Sequence, residues 1–227
     1  MKDIYLVGAS TTAIRVIELI RHHNLFRIKG LIVDDEYKQD ETFYELPLLG
    51  VSEFKKKANC FDVALFICIG WNRLNSDRKK VFNTFKEFNL VNIISPTAII
   101  RGDILGRNVY VGDNCIVEAK SKIFDNVYID HCAFIGYNVT ILNNVFLALR
   151  STLAGSVKIG EQSFIGMGAL IFDKTIVGNK CIISGGEIVK RNIADNSIVR
   201  SKNGEQIIKS YTEEEIIYKL IASKNVR

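Results

Sequence analysis

The sequence predicts a small α/β domain of the Rossmann-like kind, followed by a left-handed parallel β-helix and a short C-terminal helix. Two observations carry the β-helix. Every sixth residue is aliphatic at Leu105, Val111, Val117, Ile123, Ile129, Ile135, Ile141, Leu147, Leu153, Ile159, Ile165, Ile171, Val177, Ile183 and Val189. The residues two places earlier are small or branched, as at Val109, Cys115, Ser121, Ala133, Val145, Ser151, Ser163, Ala169 and Cys181. A third observation, strand–turn–helix–strand spacing in the first thirty-five residues, carries the α/β domain.

A period of six suits neither an α-helix nor simple strand alternation, and it does suit hexapeptide coils. Three hexads make one triangular turn with a large aliphatic side chain inward at each step. The residue two places earlier points inward as well, because strand side chains alternate faces. Glycine follows the aliphatic position at Gly106, Gly112, Gly136, Gly160, Gly166 and Gly178, where it relieves crowding as the backbone turns. Stacked coils share one core, so all of the aliphatic positions from Leu105 to Val189 are expected to be buried. A sandwich of short strands would not hold one spacing so long. The expected division is 1–94 for the α/β domain, 95–195 for the β-helix and 196–227 for a C-terminal extension.

In chain order, Ile4–Val7 is a short apolar strand, and the turn from Gly8 to Ala13 leads into a helix whose apolar side is Ile14, Val16, Ile17, Leu19 and Ile20. Lys29–Val33 is a second strand ending at Asp34 and Asp35. The turn at Gly8 is a degraded GxGxxG, with Ser10 and Ala13 in place of the second and third glycines. It reads equally as a structural turn or as an anion site, where Gly8, Ser10 and Thr11 offer N–H groups and hydroxyls at a helix N-terminus. Asp34 and Asp35 stand on the edge where such sheets bind ligands, and read equally as acceptors for a ribose or base or as a solvated turn. Residues 36–45 are expected as loop, 51–57 as helix, and Val63–Ile69 as a buried central strand ending at Gly70, Trp71 and Asn72. A basic helix is expected from Asp77 to Phe88, with Arg78 either reaching phosphates or lying on the surface. Val91–Ile94 closes the small domain.

Composition narrows the partners. The chain has 227 residues, is 48% hydrophobic and carries a net charge of +5 from 30 basic and 25 acidic residues. That charge is mild and dispersed, which leaves a nucleic-acid role unsupported. No apolar run reaches the length of a membrane span, and no secretory signal opens the chain, so a cytoplasmic protein without membrane insertion is expected. The five cysteines form no CxxC pair and read as reduced thiols, and three histidines make a dedicated metal site unexpected.

The two halves together resemble the NeuD-like sugar O- and N-acyltransferases, which include sialic acid O-acetyltransferases and bacterial amino-sugar N-acetyltransferases. The resemblance covers nearly the whole chain. It rests on Gly8-Ala9-Ser10, Gly30–Asp35, Ile69-Gly70-Trp71-Asn72 with Arg78, Ser95–Ala98, Ala154–Gly160 and Ile165–Ala169. It implies a homotrimer in bacterial surface-glycan (polysaccharide) synthesis, transferring an acetyl or related acyl group from acetyl-CoA or another acyl-CoA. The acceptor it implies is a nucleotide-linked amino sugar. By that resemblance Gly8, Asp34 and Asp35, with Ser10, Thr11, Asn72 and Arg78, face the nucleotide sugar. Gly155, Gly168 and Gly186 lie along the CoA groove, and no metal is required.

The chain departs from the family at the base. The usual signature is an acid-His-acid run four residues before an Ile-Gly pair, histidine being suited to the task by its near-neutral pKa. Counting back in register places it on Gly136-Tyr137-Asn138, so Tyr137 holds the base position and the flanking acids are missing. Asp130 stands for a family asparagine, Phe146 for a second histidine near the acetyl-CoA carbonyl. A different register, one hexad off, would instead use Asp130-His131-Cys132. His131 and Tyr137 occupy the same place in successive hexads and therefore point to different sides of the triangle. Three readings stand: catalysis by positioning with an amine that arrives neutral, catalysis by His131 in a shifted register, or a weak or inactive relative that binds nucleotide sugars or acts as a scaffold.

Beyond Val189, Asp195–Ile208 is expected as irregular chain with a short strand. A final helix starts at Thr212, its N-cap, and Ile216, Ile217, Leu220 and Ile221 cover the open end of the coils.

Overall fold

The computed structural model describes residues 1–57, 63–212 and 214–216. It divides into two compact units: Met1–Gly70 with Arg78–Ile93, and Trp71–Asp77 with the chain from Ile94 onward.

The first unit is the expected α/β domain. Strand β1 (Asp3–Val7), helix α1 (Thr11–His23) and β2 (Arg27–Val33) are followed by β3 (Thr42–Phe43), β4 (Leu46–Gly50), α2 (Val51–Lys57), β5 (Ala64–Ile67), α3 (Ser76–Phe85) and β6 (Asn89–Leu90). The sheet runs β3-β4-β2-β1-β5-β6, parallel except for β3 against β4. Strand β5 is apolar throughout and every residue of it is buried, as a central parallel strand requires. The loop expected at 36–45 holds a 3₁₀ turn, Asp35–Tyr37, and the short edge strand β3. Two expectations shift. The helix over 77–88 spans Ser76–Phe85, and β6, rather than 91–94, ends the sheet.

The second unit is a left-handed β-helix with three sheets. Sheet I contains Ile93–Ile94, Tyr110–Val111, Tyr128–Ile129, Phe146–Leu147, Phe164–Ile165 and Ile182–Ile183. Sheet II contains Ile99–Ile100, Ile116–Val117, Phe134–Ile135, Thr152–Leu153, Leu170–Ile171 and Ile188–Val189. Sheet III contains Asp103–Ile104, Lys122–Ile123, Thr140–Ile141, Lys158–Ile159 and Ile176–Val177. Between Tyr110 and Val189 neighbouring strands of each sheet pair in parallel eighteen residues apart, such as Val111 with Ile129 and Ile135 with Leu153. The aliphatic positions from Val111 to Val189 are fully buried and form one continuous core with the small residues two places earlier.

Leu105 is the exception. It is 57% exposed, because Ile104 takes the inward place and pairs with Ile123. The inward Ile100 precedes Ile104 by four residues instead of six, so the first coil is cut short on one corner.

The corners follow a rule the hexads conceal. Every sixth residue from Asn108 to Gly186 is left-handed, with φ between 52 and 73°. Asparagine and glycine suit that region, and asparagine fills it at 108, 114, 126, 138 and 144. The glycines that follow the aliphatic positions do something else. A Cβ on Gly106 would run into the Phe124 carbonyl, and one on Gly112 would stand 2.8 Å from the His131 nitrogen, so the next coil's backbone excludes side chains there.

The C-terminal segment corrects the expectation of irregular chain. Ser197–Lys202 pairs in parallel with Ile182–Ile183 and in antiparallel with Glu205–Ser210, forming a hairpin that extends sheet I. Its turn is Asn203-Gly204, both at positive φ, the turn chemistry of a two-residue hairpin. Gln206 reaches the Ile188 carbonyl (2.9 Å) and Glu187 (2.8 Å), satisfying polar groups at the last coil. Thr212 caps the helical turn Glu214–Ile216 as expected: its hydroxyl accepts from the Glu215 N–H, and Glu215 accepts from the Thr212 N–H. Ile216 is buried against Leu74 and the outward Ile182; Ile217, Leu220 and Ile221 lie outside the described residues.

Candidate functional site

In the α/β unit the carboxyl ends of β1 and β2 present the expected group. Gly8 has φ 109°, and a side chain there would be strained and press on Ile69 at 3.1 Å. Ser10 is the N-cap of α1 but its hydroxyl does not cap the helix; it points to the Cys68 carbonyl at 3.5 Å. With no acid in the first turn and Arg21, His22 and His23 in the last, α1 keeps the positive end of its dipole uncompensated beside Gly8, Ser10 and Thr11.

The two aspartates separate. Asp35 accepts hydrogen bonds from the Ser52 N–H (3.1 Å) and hydroxyl, which hold its carboxyl below the usual aspartate range and tie it to the start of α2. Asp34 is exposed at the end of β2. Arg78 is only 1% exposed, so the surface-charge reading is wrong for it; it is a buried cation in the first turn of α3. Asn72 is exposed and belongs with the second unit.

In the β-helix the candidate residues occupy different places. Asp130 and His131 sit on the corner between sheets I and II. There the His131 Nδ1 accepts the Asp113 N–H at 2.8 Å, and its Nε2 is 3.4 Å from the Tyr110 hydroxyl. Asp130 is 4% exposed and accepts the His131 N–H at 2.9 Å. Asp113 also accepts hydrogen bonds from Ser95 and Thr97.

This place in the hexad recurs. Asp125 accepts the Arg107 N–H, Asn143 the Asp125 N–H, Asn179 the Glu161 N–H and Asp173 the Gly155 N–H, all within 2.9 Å. His131 thus fills the acceptor place that aspartate and asparagine fill on the other corners. A ring whose Nδ1 accepts a backbone N–H carries its neutral-form proton on Nε2, the wrong tautomer for Nε2 to act as a base.

Tyr137 and Asn138 lie on the corner between sheets II and III. Tyr137 is 49% exposed, and its ring centroid is 5.3 Å from the Lys120 Nζ of the coil below. The Tyr137 hydroxyl, by hydrogen bond first and charge second, holds the Lys120 ammonium above the usual lysine value. Asn138 is a left-handed corner residue whose amide donates to Ser156 at 3.1 Å. The hexad count marks Tyr137 but not Lys120; asking which side chain stands on the same corner one coil lower would have found it.

Phe146 does not stand beside these groups. It belongs to a stack on the outer side of sheet I, with Tyr110–Tyr128 centroids 4.2 Å apart, Tyr128–Phe146 4.5 Å and Phe146–Phe164 5.7 Å. Gly155 shares the Tyr137 corner, but Asp173 takes its N–H. Gly168 and Gly186 fall one coil apart on the other corner, between sheets I and II, with open space where a Cβ would stand. A single chain therefore sets Tyr137 and the Gly168–Gly186 ledge on opposite long edges of sheet II.

A feature missed in the sequence is the segment after Gly70. Arg73, Leu74 and Asn75 are three consecutive non-glycine residues at φ 45, 52 and 60°. Such a left-handed turn costs about 1–2 kcal/mol per residue. Opposing that cost, Leu74 packs fully buried against Ile182 and Ile216, and Gln162 donates to the Leu74 carbonyl and the Ser76 hydroxyl, both at 3.0 Å. The Asn75 amide donates to the Ser163 carbonyl at 3.3 Å, while its fully buried Oδ1 has no hydrogen-bond partner.

Among the described residues no group of three or more His, Cys, Asp or Glu side chains could hold a metal, and no helix is long and apolar enough to cross a membrane. No protein-family model matches the chain, and no curated protein matches it in sequence. Solved structures do. A variant of perosamine N-acetyltransferase from Caulobacter crescentus, in complex with CoA and GDP-perosamine, is 23% identical with a TM-score of 0.81, covering 93% of this chain and 98% of that one. PerB from the same organism, also with CoA and GDP-perosamine, is 25% identical with a TM-score of 0.72 over 92% and 98%. The acetyltransferase domain of PglB from Neisseria gonorrhoeae, in complex with acetyl coenzyme A, is 20% identical with a TM-score of 0.78 over 88% and 96%. Over nearly its whole length, then, the chain has the fold of these acetyltransferases, an α/β domain followed by a hexapeptide-repeat left-handed β-helix.

Proposed function

We propose that the protein transfers an acetyl or related acyl group from acyl-CoA to the amine of a nucleotide-linked amino sugar, with the NeuD-like affiliation its motifs suggest. The observation that carries this is the joined architecture, matched end to end by proteins whose structures hold CoA and GDP-perosamine. The nucleotide diphosphate would lie at the N-terminus of α1 by Gly8, Ser10 and Thr11, with Asp34 accepting from the ribose or base. Asp35 is already committed to Ser52 and serves the fold.

The working form is a homotrimer. Sheet II supports it: its outward side chains include Ile99, Phe134 and Ile188, 46%, 37% and 50% exposed, whereas sheet III presents Asp103, Lys122, Thr140 and Lys158 before a single exposed aliphatic, Ile176, on its last strand. An exposed apolar stripe calls for a partner. A second copy seated on sheet II would bring one chain's Tyr137 edge toward the other's Gly168–Gly186 ledge, where acyl-CoA would run.

The chemistry favours an amine. A neutral amine attacks the thioester carbonyl unaided, CoA leaves as thiolate, and the amine proton departs late, to thiolate or water. A hydroxyl needs a base within hydrogen-bond reach. Tyr137 and Lys120 offer an orienting pair, and His131 is engaged as a corner acceptor. That engagement also favours the second reading, a non-catalytic relative that retains nucleotide binding. CoA release measured with acetyl-CoA and a panel of UDP-, GDP- and dTDP-linked amino sugars decides between them. Turnover with at least one amine is expected; nucleotide binding without release for any acceptor or acyl donor would select the non-catalytic reading.

A further inference from the structure

We infer that the Lys120 ammonium stands in for the absent base by holding the acceptor amine in its neutral form. The inference rests on the amine-acceptor reading above and supplies the group that lets such an acceptor react at neutral pH.

Lys120 and Tyr137 meet on the corner between sheets II and III, one coil apart, with Nζ 5.3 Å from the ring centroid and a hydrogen bond to the phenol oxygen. Both residues are exposed. A phenol oxygen that accepts from the ammonium can still accept from an amine N–H, which leaves the amine's lone pair free for attack. Two hydrogen bonds of about 2.9 Å that meet on one oxygen put their nitrogens about 5 Å apart. One coil above Tyr137, in the same phase, stands Gly155, which has no side chain to screen the ammonium.

Among the described residues no carboxylate pairs with Lys120, although acids stand nearby. On the same corner Glu118 is held by Arg101 at 2.8 Å. Two coils above, Asp173 accepts the Gly155 N–H at 2.6 Å. Asp103 lies in register with Lys122 on sheet III. Further along the corner come Lys174, Lys190 and Arg191, so the edge around Tyr137 is net positive. The hydrogen bond to Tyr137 holds Lys120 above the usual lysine value, and it stays charged while an acceptor amine titrates.

An amine of ordinary basicity is largely protonated at neutral pH and then has no lone pair to attack with. A like charge about 5 Å away disfavours the protonated form, and in a partly hydrated site it lowers the amine's pKa by about one unit. The proton goes to water as the amine settles beside Tyr137. The neutral nitrogen bonds to the thioester carbonyl carbon, the carbon–sulfur bond breaks, and the amine's surplus proton passes to the CoA thiolate. Flanking carboxylates would favour the ammonium form of the acceptor, and the two places beside Tyr137 hold Gly136 and Asn138 instead.

The test uses the full-length protein with acetyl-CoA and the nucleotide-linked amino sugar that turns over, and follows CoA release against pH. The acid limb of kcat/KM reports the free amine, and that of kcat the bound one. In the wild type the kcat limb is expected about one unit below the kcat/KM limb. Lys120→Met should raise the kcat limb by about one unit, to meet the other, and Lys120→Arg should hold it at the wild-type place. Limb position is the readout because a misfolded fraction lowers the plateau and leaves the limb where it was. The wild-type comparison needs no variant at all. Coincident limbs in the wild type, or an unmoved limb in Lys120→Met, overturn the inference and leave the acyltransferase reading standing. A raised KM in Lys120→Met with an unmoved limb overturns it in favour of an ammonium that grips an acidic group on the acceptor. No CoA release from the wild type with any amino sugar overturns the inference and the amine-acceptor reading together.

Discussion

The β-helix corners and the bridge Arg73–Asn75 hold non-glycine residues in the same left-handed region, and they do so by opposite means. At the corners one residue in six is left-handed, and its neighbours are locked by coils above and below that repeat the arrangement. Asn108, Asn126 and Asn144 even pass one amide hydrogen bond along the corner, each 2.8 Å. The bridge puts three such residues together without a repeat, held by the local Arg73–Asp77 pair and by contacts from about ninety residues and more further along the chain. Periodic strain leaves a sequence signature because the same residue types recur. Solitary strain leaves none, because each compensating contact is particular.

The comparison breaks first at the core that stacks the corners. Ile141→Ala should cost about 3 kcal/mol, the usual range for truncating a fully buried isoleucine, read from denaturant midpoints. Leu105→Ala should stay within about 0.5 kcal/mol, because that side chain has turned outward. Equal losses at both positions would mean that the first coil keeps the six-residue step after all.

These contrasts also mark what the sequence could disclose. The hexad positions from Val111 onward announced their burial because the same inward place repeats. Leu105 misled because the slip to Ile104 conserves an aliphatic residue at both places. The Asn203-Gly204 hairpin was legible and overlooked, since the broken hexads drew attention away from its turn signal. Asp35 could not be told from Asp34 without seeing Ser52 fold back on it, and nothing in the local pattern shows that Arg78 is buried. Asp130-His131 reads as catalytic because Asp-His is a chemical signature; that the ring also accepts a backbone N–H, as Asp125, Asn143 and Asp173 do in the same phase, is visible only in three dimensions.

Next in size is an alkaline effect confined to the coils. Burial pushes the Cys115 and Cys181 thiols up to about 11 from 9.0. Their folded pKa is raised, so their contribution is fully present below pH 9 and is lost as pH rises from 9 to 11, where the unfolded chain releases protons that the folded one keeps. The loss should reach at most about 2–3 kcal/mol per thiol. The double variant Cys115→Ala, Cys181→Ala should flatten thermal stability against pH in that window. A wild-type profile as flat as the variant's would show that the inward sulfurs reach water.

A smaller effect tests whether His131 is a corner residue or a base. His131→Ala should cost about 1 kcal/mol by stripping the Asp113 N–H of its acceptor. His131→Asn should restore most of that, since asparagine serves the same place at Asn143 and Asn179. If the corner role is the whole of it, the Asn variant also keeps the wild-type rate of CoA release. Restored stability with lost turnover would revive the shifted register.

The smallest contrast lies between two serines on the same inward phase. Ser121 donates to the Gly136 carbonyl at 2.6 Å and accepts the Val139 N–H at 3.0 Å, whereas the Ser151 hydroxyl, equally buried, has no partner. Removing a hydroxyl that bridges two backbone groups strands both of them. Removing one that bonds nothing takes away only a desolvated dipole. Ser121→Ala should therefore lose about 1 kcal/mol, while Ser151→Ala should gain roughly 0.5 kcal/mol by the same reasoning. Paired melts of the two variants check the sign. A loss at both would place an ordered water beside Ser151, making its hydroxyl a hydrogen-bonding partner in the core like that of Ser121.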